Sequence, residues 1–247
     1  MTTNVLGIAG VLAALGLVFG GLRWVQVRYD TDPEWTRKLA HVLMGVVTLT
    51  FPWVFDTFWP VAVLGGVAVM LMVVVRSVDD VRTSVGSVIH SVGRHSYGEI
   101  YFPIAVVALF ALAGDDPVLY SVPLLTLGFA DPAAALVGLR HGQVFYGTSD
   151  GTKSGEGSAG FFLVAFFCTH VPVLLFTSIG RLESLLIALI VGFLVMLLEA
   201  IAWRGLDNLF VPIGTFALLD THLAMDADDL AVRLVVIAAP FALAVLW

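Results

Sequence analysis

The stretch SLLIALIVGFLVMLLEAIAW, residues 184–203, runs for twenty residues with one charge, Glu199. A helix of about 20 apolar residues crosses the hydrocarbon core of a bilayer. A helix apolar all round leaves no face for water, so the solvent of this segment is lipid. Similar runs precede it at 117–138 and 158–177, and further ones lie at 5–22, 39–55, 60–75 and 100–113. A shorter run covers 209–219, and the last covers 230–247. Eight or nine spans are expected; Pro212, Gly214 and Asp220 make 209–219 short, tilted or re-entrant. The run at 5–22 lacks the preceding basic region of a cleavable leader and reads as a retained transmembrane helix.

Composition agrees. The chain of 247 residues is 59% apolar and 13% charged, against roughly 25% charge in soluble domains. The expected fold is all-α: one polytopic transmembrane domain over 1–247, with a short cytoplasmic interfacial helix. Net charge is −7, from 12 Lys+Arg and 19 Asp+Glu, which argues against a nucleic-acid partner. Cys168 is the single cysteine, so an intramolecular disulfide is excluded.

Basic residues set the expected topology. Arg23, Arg28, Arg37, Lys38, Arg76, Arg82, Arg94, Arg140, Lys153 and Arg204 fall on one side of the spans, Arg181 falls on the other, and Arg233 stands at the foot of the last span. By the positive-inside rule the rich side is cytoplasmic and the N-terminus is outside. On that side Val78, Val81, Val85, Val88, Ile89 and Val92 recur at helical spacing, the pattern of a helix lying in the interface.

The polar residues within this apolar frame carry the chemistry. Asp131 sits inside a span, where an ionised carboxylate is costly and usually functional. Pro132 follows it, so a helix broken at Asp131, with the carboxylate as its N-cap, is expected. The loop GLRHGQVFYGTSDGTKSGEGSAG, residues 138–160, then offers glycines for close backbone approach and Lys153 as a point charge for phosphate. Gly138, Gly142, Ser154 and Gly157 are its candidate phosphate-binding residues, with Glu156 among them as a candidate catalytic acid. GTSDGTKS has the wrong spacing for a Walker P-loop, which needs lysine directly after its second glycine.

Glu199 is a second intramembrane acid, and Asp207 and Asn208 follow just beyond its span. Carboxylate and amide oxygens are hard ligands of the kind Mg2+ accepts beside substrate phosphates. Arg37, Lys38 and His41 open the second span, with Arg37 and His41 four apart on one helical face. Arg94, His95, Tyr97, Gly98 and Glu99 form another polar cluster before the fourth span. His170 and His222 lie toward the opposite side and read as structural.

In this order, Arg37-Lys38-Leu-Ala-His41, Tyr97-Gly98-Glu99, Asp131-Pro-Ala-Ala-Ala135 with Gly138, Lys153-Ser154-Gly-Glu156-Gly157-Ser158, and Asp207-Asn208 with Pro212 resemble the polyprenol kinase family. That family includes dolichol kinase, phytol kinase and a CTP-dependent diacylglycerol kinase. Two departures stand out. Ala130 replaces the glycine common before the aspartate, and Gly205-Leu206 precede Asp207 where a further acid is common.

The resemblance implies transfer of the γ-phosphoryl of CTP, with Mg2+ or Mn2+, to the hydroxyl of a membrane isoprenoid alcohol such as dolichol, a shorter polyprenol, phytol or geranylgeraniol. On this reading the residues themselves are expected to divide the work, Lys153 and the glycine loop taking the triphosphate. Asp131 and Asp207, with Asn208, hold the metal, Glu199 or Glu156 assists, and Asp131 orients or deprotonates the alcohol. Arg37, Lys38 and His41 meet phosphate. Two alternatives stay open at this point: a CTP-dependent lipid-phosphate cytidylyltransferase, and an ion-coupled transporter using Asp131 and Glu199.

Overall fold

A computed structural model describes residues 2–31, 33–77, 97–149 and 151–245. The interfacial helix expected over 78–92, together with Arg94 and His95, lies outside the described residues. Packing divides the chain into two compact units, Met1–Asp115 with Arg204–Leu209 and Asp116–Trp203 with Phe210–Trp247.

The first unit contains α1 (Thr2–Tyr29), α2 (Pro33–Leu49), the single turn α3 (Phe51–Val54), α4 (Phe58–Ser77) and α5 (Gly98–Ala113). α1 packs on α2 through Val18, Phe19 and Leu22 against Leu39, Ala40 and Leu43. α4 packs on α5, and Gly65 permits the approach, since a Cβ there would run into Val107. At the far end the Asn4 amide donates to Thr57 Oγ1 (3.0 Å). Exposed Trp53 and Trp59 mark that end, and exposed Trp24, Tyr29 and Trp35 mark the other. Such paired aromatic girdles sit at the headgroup level of a bilayer.

The second unit contains α6 (Pro117–Leu125), a π-helical turn (Thr126–Ala130), α7 (Asp131–His141), strands β1 (Phe145–Thr148) and β2 (Gly151–Ser154), α8 (Gly155–Phe176) and α9 (Arg181–Ile201). α10 (Asp207–His222) and α11 (Ala227–Val245) follow, the first residues of α10 belonging with the first unit. α9 is the most enclosed of the long helices, with half of its span buried. Ser184, Ala188, Val191, Val195 and Glu199 form its inward stripe at steps of three and four. α8 approaches it closely at Gly192, where a Cβ would stand 3.3 Å from the Phe166 backbone nitrogen. His170 Nδ1 and Ser184 Oγ (2.9 Å) tie the same two helices, and His222 Nδ1 bonds the Leu218 carbonyl (2.6 Å) within α10.

The chain is a helical integral membrane protein. Among the described residues, five helices are long and apolar enough to cross a membrane: Thr2–Tyr29, Phe58–Ser77, Pro117–His141, Gly155–Phe176 and Arg181–Ile201. Helices also cover most of the expected runs at 39–55 and 230–247, in the latter as far as residue 245, and all of those at 100–113 and 209–219.

Two local expectations need correction. The Gly138–Gly160 region is not merely loop: β1 and β2 pair antiparallel, with Phe145 opposite Ser154 and Tyr146 opposite Lys153. Nor does the helix break at Asp131. Asp131 has helical dihedrals (φ −63°, ψ −49°), and the Pro117–His141 rod continues through it. Pro132 has no N–H for the Gly128 carbonyl four residues earlier, and the backbone passes this point by widening into a π turn. Such turns are frequent at functional positions.

Candidate functional site

The singled-out residues gather into two groups, one in each unit. In the first unit, Arg37 and His41 lie one turn apart on α2 and line the same cavity of about 280 Å³. Lys38 is about 100° round the helix from Arg37. Glu99, at the start of α5, and Asn208 complete the polar end of the cavity. Its walls are apolar, contributed by α1, α2, α4 and α5 and including Leu15, Met44, Leu64 and Val106.

That polar end is poorly satisfied from within. Among the described residues, His41 Nε2 and Glu99 Oε2 are buried without a hydrogen-bond partner. The His41 ring is set edge-on to Phe102, with centroids 5.2 Å apart. Arg76, at the end of α4, stands 3.9 Å from Glu99 Oε2 and places its guanidinium 4.3 Å over the Tyr97 ring. Sequence reading gave Arg76 only a topological role. Its place directly after the apolar run at 60–75 was the available signal, but its partners lie across a loop.

Asp207 and Asn208 reach this unit through a tight reversal. Arg204 (φ +53°) and Gly205 (φ +84°) are both left-handed, and the Arg204 carbonyl accepts from the Tyr97 amide (2.9 Å). A non-glycine residue held there costs of order 1–3 kcal/mol and persists only when its surroundings fix it. Asn208 Nδ2 caps back onto the Gly205 carbonyl (3.4 Å) and lies 3.5 Å from Asp207 Oδ1.

In the second unit, α7 carries both Asp131 and Gly138, seven residues and about two turns apart on one face. Asp131 is half-buried. At Gly138 the helix meets the start of α8: a Cβ on Gly138 would stand 2.9 Å from Ser154 Oγ, and one on Gly157 would stand 2.9 Å from the Ala134 carbonyl. Gly142 is crowded by Ser154 in the same way. Ser154 is the N-cap of α8, its Oγ accepting from the Gly157 amide (3.1 Å). Gly138, Gly142, Ser154 and Gly157 thus form a close helix–helix junction.

The Glu156 carboxylate accepts from the Gln143 amide (3.0 Å) and the Val144 amide (3.3 Å), closing the entry to the hairpin. Tyr146 Oη and Ser158 Oγ (2.6 Å) close its other side. β2 delivers Lys153 to the C-terminal turn of α9. Lys153 Nζ donates to Glu199 Oε1 (2.6 Å) and to the Glu199 backbone carbonyl (2.5 Å). Glu199 is nearly buried, with its side chain 8% exposed, and its carbonyl is one of the helix's last four. Lys153 therefore neutralises a buried acid and complements the negative end of the helix dipole.

The metal donors expected from sequence are divided between the groups: Asp131 and Glu199 in the second unit, Asp207 and Asn208 in the first. Among the described residues, no three His, Cys, Asp or Glu side chains form a metal-holding cluster. Mg2+ takes only one or two carboxylates and fills its octahedron with water and phosphate oxygens. Asp131 in the second unit and Asp207 in the first each offer carboxylate oxygens of that kind, and Glu199 is engaged by Lys153.

Phytol kinase of Synechocystis sp. is 32% identical to this chain over 186 residues, which cover 74% of this chain and 76% of the relative. No family model matches the chain. No solved structure matches it either.

Proposed function

Because this chain belongs to the polyprenol kinase family, we propose that it phosphorylates the hydroxyl of a membrane isoprenoid alcohol, with CTP as donor. Kinship to a phytol kinase across three-quarters of the chain is the observation that carries this reading. The donor nucleotide and the divalent metal rest on the resemblance of motifs.

Phosphoryl transfer asks the protein mainly for positioning and charge neutralisation. The alcohol oxygen forms a bond to the γ-phosphorus as the β–γ bridging bond breaks and CDP leaves. The hydroxyl proton passes to a carboxylate, for which Asp131 is the preferred base. Mg2+ bound at Asp131 would neutralise charge building on the phosphate oxygens; Asp207 and Asn208 offer hard-oxygen donors on the first unit. Lys153 contacts the triphosphate. An ammonium has three N–H donors, and Glu199 takes two of them, leaving one for a phosphate oxygen. Arg37 and His41 bind phosphate on the acceptor side. By the positive-inside rule these groups face the cytoplasm, where the nucleotide is.

The test is a reconstituted assay with γ-labelled and α-labelled CTP, and with γ-labelled ATP, against a panel of lipid alcohols and lipid phosphates. Label from γ-CTP on an isoprenoid alcohol is the expected result. Incorporation from α-CTP with release of pyrophosphate would instead identify a cytidylyltransferase.

A further inference from the structure

We infer that the cavity of the first unit holds the isoprenoid tail of the acceptor and sets the chain length the protein takes; this rests on the kinase reading above. The cavity, about 280 Å³, is a groove open on one side, where its lining residues Leu12 and Leu71 are exposed. It approaches the ~300 Å³ lower end of small-molecule pockets.

The distribution of its lining fits one kind of occupant. On α2 it runs from Arg37 to Thr48, on α4 from Val61 to Met72, and on α5 from Gly98 to Val106. At 1.5 Å per residue these stretches give a depth of roughly 12–16 Å. Arg37, His41, Glu99 and Asn208 stand at one end, and beyond them the walls are almost wholly aliphatic and aromatic. The occupant is therefore a long apolar body with a single polar head. The buried His41 Nε2 and Glu99 Oε2 atoms have no hydrogen-bond partner among the described residues. Buried polar atoms are costly when unpaired, and an alcohol hydroxyl, which donates its proton to a carboxylate oxygen and accepts from an imidazole N–H, meets both. A bulk phospholipid would bring a charged headgroup and two chains to the same opening.

Two positions gauge the tail. Gly16 lines the cavity from α1, and a Cβ there would meet nothing within 4 Å. Leucine at this position adds bulk without a collision and improves helix propensity. Met44 lines the cavity from α2, and alanine there lengthens the space.

The experiment uses the full chain in lipid vesicles, with wild type, Gly16→Leu and Met44→Ala assayed against isoprenoid alcohols of graded length. Gly16→Leu should shift the long-to-short ratio of kcat/KM roughly tenfold toward short tails. Met44→Ala should shift it toward long ones, a gain that misfolding cannot produce. Unchanged length profiles in both variants would overturn the inference while leaving the kinase reading intact. In parallel, a photoreactive isoprenoid alcohol carrying its reactive group at the tail end is crosslinked to wild type and mapped. Label on cavity-lining residues of α1, α2, α4 or α5 is expected, and label confined to other helices overturns the inference whatever the turnover. Correct labelling without phosphorylation of any alcohol would sink the kinase reading and keep the cavity assignment.

Discussion

Lys153 Nζ lies 2.6 Å from the Glu199 carboxylate and 2.5 Å from the carbonyl of the same residue, joining a hairpin strand to the end of the most enclosed long helix. Removing one partner of such a pair leaves an uncompensated buried charge. Lys153→Met should therefore cost about 3 kcal/mol or more, read as a clear fall in Tm in detergent or vesicles. Combining it with Glu199→Leu should restore most of the stability, because apolar pairs replace buried ion pairs well. Phosphoryl transfer should stay low in the stable double variant. Full activity there would remove Lys153 from the nucleotide site.

Asp131→Asn preserves shape and hydrogen-bonding capacity while removing charge. Transfer should fall by at least about a hundredfold, the usual scale for losing a general base, with Tm close to wild type. Asp131→Glu should recover little, because the acid is fixed by the π turn beside it. Near-normal turnover by the asparagine variant would exclude Asp131 as base and metal ligand together.

At the α7–α8 junction the glycines have no room for a methyl group. Gly157→Ala should destabilise by about 1–3 kcal/mol, the cost of overpacking, because its Cβ would sit 2.9 Å from a backbone carbonyl. Gly66→Ala, with nothing within 4 Å of the new atom, should be neutral or raise stability by up to about 1 kcal/mol. Equal Tm values for the two variants would contradict the close junction.

His41 offers the opposite trade. Among the described residues its Nε2 is buried without a hydrogen-bond partner, so His41→Leu relieves a desolvation cost of about 1–3 kcal/mol. Tm should hold or rise while kcat/KM for the alcohol falls. A variant that is both destabilised and fully active would show that the imidazole serves packing alone.

The spans were legible because lipid imposes a simple rule on composition. The run at 158–177 became α8 at Gly155–Phe176, and that at 184–203 became α9 at Arg181–Ile201. The hairpin was not legible: PheTyrGlyThr and GlyThrLysSer are four-residue strands without apolar alternation, and glycine argues against strand. The pairing of Lys153 with Glu199 joins residues 46 apart in sequence, and no local pattern reports such a contact. Asp131 was found by its charge, but the backbone around it was misread. Asp-Pro is a good helix start, and only the packed rod shows that helix already precedes it. Arg76 was found as a basic residue and missed as a partner of Tyr97 and Glu99, for the same reason of distance along the chain.

The π turn at Thr126–Ala130 has a consequence for how this helix can vary. A π turn accommodates one residue more than the α-helix around it, so the rod before it and the rod after it are out of phase by about 100°. The seam of α6 and the Asp131–Gly138 face of α7 are thereby set in independent registers. Apolar substitutions can drift along α6 without swinging the carboxylate. A single-residue deletion within the turn would leave every side chain chemically intact, yet it would aim Asp131 at a different neighbour.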